Sequence, residues 1–67
     1  MLGNNLKIIR MGEYYMNIKQ FAEFLNIDNA QYNRYEKSIF NPPLEMAINI
    51  SIKLKKTVNE IWYKKDE

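Results

Sequence analysis

The stretch NIKQFAEFLNIDNAQYNRYE, Asn17 to Glu36, decides how this chain folds. Asn17 with Gln20, and Asp28 with Gln31, are each a helix-capping residue followed three positions on by an amide side chain. The cap's oxygen accepts a backbone N–H, and the Gln can reach back to the cap's own N–H. Starts at residues 17 and 28 leave room for a first helix of about two turns and a turn of about three residues. Helices this short and close hold the second one out at an angle, as in the helix-turn-helix that enters a DNA groove.

Inside the stretch, Ile18, Phe21, Ala22 and Leu25 share one apolar arc while Lys19, Gln20 and Glu23 point outward, which predicts a helix over about 18–25. Ala22 is small where a crossing helix needs close approach. Asn26 ends this helix, since Asn takes the left-handed turn conformation best after glycine. Ile27 plugs the turn and Asp28 caps the next helix. At about 100° per residue that helix turns Tyr32 and Tyr35 inward. Ala30, Asn33, Arg34 and Lys37 point roughly opposite, and Asn29 projects from the first turn.

Upstream, Leu6, Ile9 and Arg10 lie on one side of a first helix that starts near Asn4 or Asn5 and is expected to end at Gly12. Glu13-Tyr14-Tyr15 then connects to Met16, which sits in the staple position before the Asn17 cap. Downstream, Ser38-Ile39-Phe40-Asn41 is a loop and Pro42-Pro43 pre-sets a fourth helix to about Lys55, with Leu44, Ala47, Ile50, Ser51 and Leu54 on one face. Thr57 to Glu60 is a third capping box and opens a short fifth helix containing Val58, Ile61 and Trp62. The expectation is an all-α, compact five-helix fold without a strand. Residues 1–67 are expected to form a single helix-turn-helix domain, with a core over about 5–62 and a frayed tail at 63–67.

The composition agrees and excludes alternatives. Sixty-seven residues supply one small core, and with no Cys and no His there are no disulfides, no thiolate or imidazole zinc site and no Ser-His or Cys nucleophile chemistry. No metal and no cofactor are expected, and the scattered Asp and Glu residues suggest no enzyme. The longest apolar run is far too short for a membrane span and the N-terminus lacks a signal-peptide layout, so a cytoplasmic protein is expected. The formal net charge is only +2. Between Asn17 and Asn41, Lys19, Arg34 and Lys37 balance Glu23, Asp28 and Glu36. Electrostatics permits a polyanionic partner without demanding one.

Over roughly Asn5 to Trp62 the chain resembles the Cro-like, lambda-repressor-like (Xre) family of DNA-binding domains. The likeness is carried by Leu6-x-x-Ile9-Arg10, Met16-Asn17-x-x-x-Phe21-Ala22-x-x-Leu25-Asn26-Ile27 and Asp28-x-x-x-Tyr32-x-x-Tyr35-Glu36. It continues through Asn41-Pro42, Leu44-x-x-Ala47-x-x-Ile50-x-x-x-Leu54 and Val58-x-x-Ile61-Trp62. Three departures stand out. Ile18 replaces the family's usual phosphate-binding Gln, Asn26 and Ser38 replace glycines, and the connection between helices one and two runs one residue over length.

The resemblance, together with the helical angles, implies that Asn29, Ala30, Gln31, Asn33 and Arg34 meet base edges in the major groove. Asn and Gln pair bidentately with adenine, Arg with guanine, and the Ala methyl can touch a thymine methyl. Asn17, Lys19, Gln20, Lys37 and Asn41 are the phosphate candidates, aided by backbone N–H groups at the second helix's start. Arg10 and Glu36 occupy positions that in the family often pair to orient the recognition helix. Ile48 and Ile52, one turn apart, with Ile39 and Phe40 nearby, suggest a dimer contact. Partners expected are double-stranded DNA and a second copy of the chain, with no membrane and no small-molecule ligand. A transcriptional regulator of phage or mobile-element type is the leading reading. The competing one is a protein-interaction module, such as an antitoxin component, that keeps the fold without the DNA contacts.

Overall fold

The computed structural model describes residues 2–65. In chain order they form β1 (Leu2–Asn4), α1 (Leu6–Ile9) running directly into a π-helical turn (Arg10–Tyr14), α2 (Ile18–Leu25), α3 (Asn29–Glu36), α4 (Leu44–Leu54), α5 (Val58–Ile61) and β2 (Trp62–Lys64). Residues from every helix meet in one core, where Leu6, Phe21, Tyr32, Ile50 and Ile61 are sealed from solvent. Tyr14, Phe21, Phe24 and Tyr32 are its aromatic centre. The Phe21 and Tyr32 rings meet edge-on at 5.5 Å, which fixes α2 against α3, and Ala22 is buried where those helices approach.

Two expectations are corrected here. The fold is not purely helical: β1 and β2 pair antiparallel, with Gly3 opposite Tyr63 and Asn4 opposite Trp62. Trp62, expected in the fifth helix, and Tyr63 and Lys64, expected in a frayed tail, therefore belong to a strand, while Asp66 and Glu67 lie outside the described residues. Three-residue strands joined by neither a hairpin nor a periodic pattern leave little local signal. Gly3 suits the pairing because the Tyr63 ring lies across it: a Cβ there would come within 2.6–2.7 Å of the ring.

The second correction concerns the end of the first helix. Gly12 does not stop it but lies within the π-helical turn, which ends instead at Tyr15 in the left-handed region (φ 55°). The Tyr15 N–H donates to the Arg10 carbonyl, five residues back, and Met16 N–H donates to the same oxygen at 3.3 Å. A π turn holds one more residue than an α turn, so it absorbs the surplus residue before Met16 without disturbing the start of α2.

The capping signals also divide. Asn17–Gln20 and Thr57–Glu60 each form both bonds of a capping box. At α3 only half is present. Asp28 Oδ2 accepts the Gln31 N–H at 3.2 Å, but the Gln31 side chain turns away from the cap and donates to the Tyr35 hydroxyl. At the C-terminal ends of α2, α3 and α4 the same closure recurs, with Asn26, Ser38 and Lys55 in the left-handed conformation. In each case the N–H of the following residue returns to a carbonyl of the last turn: Ile27 to Ala22, Ile39 to Arg34, and Lys56 to Ser51. These are Schellman closures made without glycine.

Candidate nucleic-acid interface

The candidate surface is built on α3, and its inner row is anchored before its outer row is free to read anything. Tyr32 and Tyr35 are buried, as their phase requires. Beneath them Arg10 reaches from the π-helical turn to Glu36, with Nε to Oε2 at 2.9 Å and Nη2 to Oε1 at 3.0 Å, both side chains almost wholly buried. Arg10 Nη1 also donates to the Met16 carbonyl at 3.0 Å, so one guanidinium ties the first helix, the entry to α2 and the end of α3. The Tyr32 hydroxyl donates to Glu36 Oε2 as well.

This network sets its own ionisation. Burial works against the Glu36 carboxylate, but the hydrogen bonds from Arg10 and Tyr32 outweigh it and hold the group below the usual Glu range. The bond to Glu36 raises Arg10 further, and burial pushes the Tyr32 hydroxyl well above the ordinary tyrosine range. A bidentate, buried pair resists sliding and so fixes the rotation of α3 about its axis.

A further clamp on α3 escaped the reading of the sequence. Asn4 Nδ2 donates to the Tyr35 carbonyl at 2.9 Å and to Ser38 Oγ at 3.2 Å, while its Oδ1 accepts the Leu6 N–H at 3.0 Å. One side chain thereby satisfies the first N–H of α1 and holds the C-terminal end of α3. Nothing local marks Asn4 for this, because its partners lie 31 and 34 residues away.

With α3 held, Asn29, Ala30 and Arg34 are exposed, and Gln31 and Asn33 are half-buried. Asn17, Lys19, Gln20, Lys37 and Asn41 are all exposed. Gln20 Oε1 accepts the Asn17 N–H at 2.9 Å, which leaves the Gln20 amide N–H groups as its outward donors. Ile18 is half-buried and packs on the core, so its side chain serves the fold. Ile48 and Ile52 are 42% and 68% exposed, off the face by which α4 joins the core.

The geometry is that of two short helices joined by a tight turn, the second braced from behind and bare in front. A helix-turn-helix family model matches residues 6–61, all but the two strands and their flanks. The chain belongs to the Xre, lambda-repressor-like helix-turn-helix family. No curated protein matches it. Members of this family are DNA-binding regulators, and the chain is a DNA-binding helix-turn-helix regulator on that ground. No helix among the described residues is long and apolar enough to cross a membrane.

Proposed function

We propose that this Xre-family protein is a sequence-specific binder of double-stranded DNA, a transcriptional repressor of phage or mobile-element type, with α3 in the major groove. The observation that carries this reading is the division of α3. Its inner row is locked by Tyr32, Tyr35 and the Arg10–Glu36 pair, while Asn29, Ala30 and Arg34 face solvent with the donors, acceptors and methyl that base edges require. Asn33 and Gln31 flank that row. Lys19, Gln20, Lys37 and Asn41, with Asn17 at the helix start, are the proposed phosphate contacts.

A second copy is the proposed partner. Ile48 and Ile52 stand exposed one turn apart on α4, and Leu44, exposed at the start of the same helix, lines a cleft of about 260 Å³ together with Leu2, Ala47 and Trp62. Two copies related by a two-fold axis would read half-sites about one DNA turn apart. One observation favours the competing reading, an antitoxin-like interaction module: Ile18 is tucked against the core where the family's phosphate-binding Gln would stand.

Selection from random duplex DNA decides between them. The regulator reading expects an enriched two-fold motif, affinity falling steeply with salt, and a loss of about 1–3 kcal/mol per base contact in Asn29→Ala or Arg34→Ala. No enrichment, and no effect of either substitution, would refute it. For the dimer, sedimentation of Ile52→Lys beside the parent is the check, and identical monomers at high concentration would count against it.

A further inference from the structure

Arg34 is an exposed residue that is nevertheless not free. Its Nη1 donates to Gln31 Oε1 at 3.3 Å, and its guanidinium lies over the Phe40 ring, 6.0 Å from the centroid. Gln31 is held in turn, because its Nε2 donates to the Tyr35 hydroxyl at 3.0 Å and Tyr35 is part of the core. Phe40 is tied to the same residue through the backbone: Ser38 takes φ 61°, and the N–H groups of Ile39 and Phe40 both return to the Arg34 carbonyl, at 3.0 and 3.4 Å. The closure of α3 thus delivers the Phe40 ring to the side chain of the residue whose carbonyl it caps. Phe40 itself is 54% exposed and stands outside the hydrophobic core, so burial does not account for an aromatic side chain here.

We infer that Phe40 is a specificity-determining positioning residue, which holds the Arg34 guanidinium, together with Gln31, in the orientation that reads a guanine. The inference rests on α3 being the base-reading helix. An unrestrained arginine loses side-chain freedom when it docks on a base, and a guanidinium already braced on two sides loses less. Gln31 keeps one amide N–H and one carbonyl lone pair beyond its two internal bonds, so it can present a donor and an acceptor to a neighbouring base while still holding Arg34. Gln31 and Arg34 therefore act as a unit, with Phe40 as its outer wall. Phe40 contributes through the face of its ring, and an aliphatic side chain of similar bulk does not replace it.

The test uses the full chain and the duplex that the parent protein enriches from random DNA, compared with duplexes substituted at the guanine that Arg34→Ala ceases to read. Phe40→Leu is expected to lower discrimination at that base pair by about two- to fivefold, the range for an exposed cation–π contact. Binding to unrelated duplex and thermal stability should stay near the parent's. Phe40→Tyr should restore discrimination, and adding Phe40→Leu to Arg34→Ala should have no further effect. In the free protein, the Arg34 side-chain resonances should carry a ring-current shift that Phe40→Leu removes and Phe40→Tyr retains.

A parent that enriches a motif, with Phe40→Leu leaving discrimination at that base unchanged, overturns this inference and leaves the DNA-binding reading standing. Equal losses at every base pair overturn it too, since they would make Phe40 a general contact. A parent that enriches no sequence overturns both readings.

Discussion

Lys55 follows the last residue of α4 with φ 57° and ψ 42°, exposed, with its N–H donated to Ile52 and the next N–H to Ser51. For a residue with a Cβ the left-handed conformation costs roughly 1–2 kcal/mol, while glycine gives back about 0.5–1 kcal/mol through the entropy of the unfolded chain. Lys55→Gly should therefore stabilise the fold by about 0.5–1 kcal/mol from the backbone alone. Replacing the lysine also removes a positive charge near a helix C-terminus, a contribution of about 0.3–1 kcal/mol in the opposite direction. Lys55→Ala separates the two, for it loses the charge but keeps the Cβ. In thermal denaturation at moderate salt, Lys55→Gly should melt about 2–8 °C above Lys55→Ala, given about 4–8 °C per kcal/mol in a domain of this size. Asn26→Gly should gain less, since Asn tolerates this conformation. A glycine variant melting at or below the alanine variant would refute the account of these closures as strained.

Gly12 is the converse case. It lies in the π-helical turn without a positive φ, and a Cβ would meet nothing within 4 Å, so Gly12→Ala should stabilise by about 0.4–1 kcal/mol in denaturant titration. Arg10→Met should cost about 3–5 kcal/mol by stranding the buried Glu36 carboxylate, and Arg10→Met with Glu36→Leu should recover much of that; urea unfolding of the two variants measures the difference. Because Glu36 ionises more readily in the folded state than in the unfolded chain, its contribution is complete above the unfolded pKa of about 4.3. It is lost as pH falls through the lower folded value. Melting temperature should accordingly drop on acidification more steeply in the parent than in Glu36→Gln. Asn4→Ala removes the bond to the first N–H of α1 and the clamp on Tyr35 and Ser38, and should lower stability by about 1–3 kcal/mol, with faster amide exchange at the C-terminal end of α3.

Much of the helical layout was legible in the residues because the interactions that start, stop and orient a helix span three or four positions. Asn17 with Gln20 and Thr57 with Glu60 found each other as their spacing required, and the phases of Phe21, Tyr32, Tyr35 and Ile50 turned them inward. Asn26 and Ser38 took the left-handed conformation in place of glycine. The candidate DNA surface followed from the same phases, since a helix whose tyrosines face in must present Asn29, Ala30 and Arg34 outward.

Contacts between residues far apart in the chain were decided only by the tertiary structure. Leu2–Asn4 and Trp62–Lys64 pair across nearly the whole chain, and neither strand has a pattern of its own. Asn4 looks like an ordinary helix-start residue until Tyr35 and Ser38 come within its reach. The surplus residue before Met16 shows in the sequence as a misfit. Its π-helical solution depends on the first helix and α2 both being held to the core and on Arg10 reaching Glu36. Gln31 had two local options, its cap or its neighbours along α3, and the buried Tyr35 hydroxyl drew it to the second. Sequence determines which surfaces each helix can offer; packing selects which of the competing polar partners each side chain takes, because a buried donor or acceptor left without a partner costs free energy.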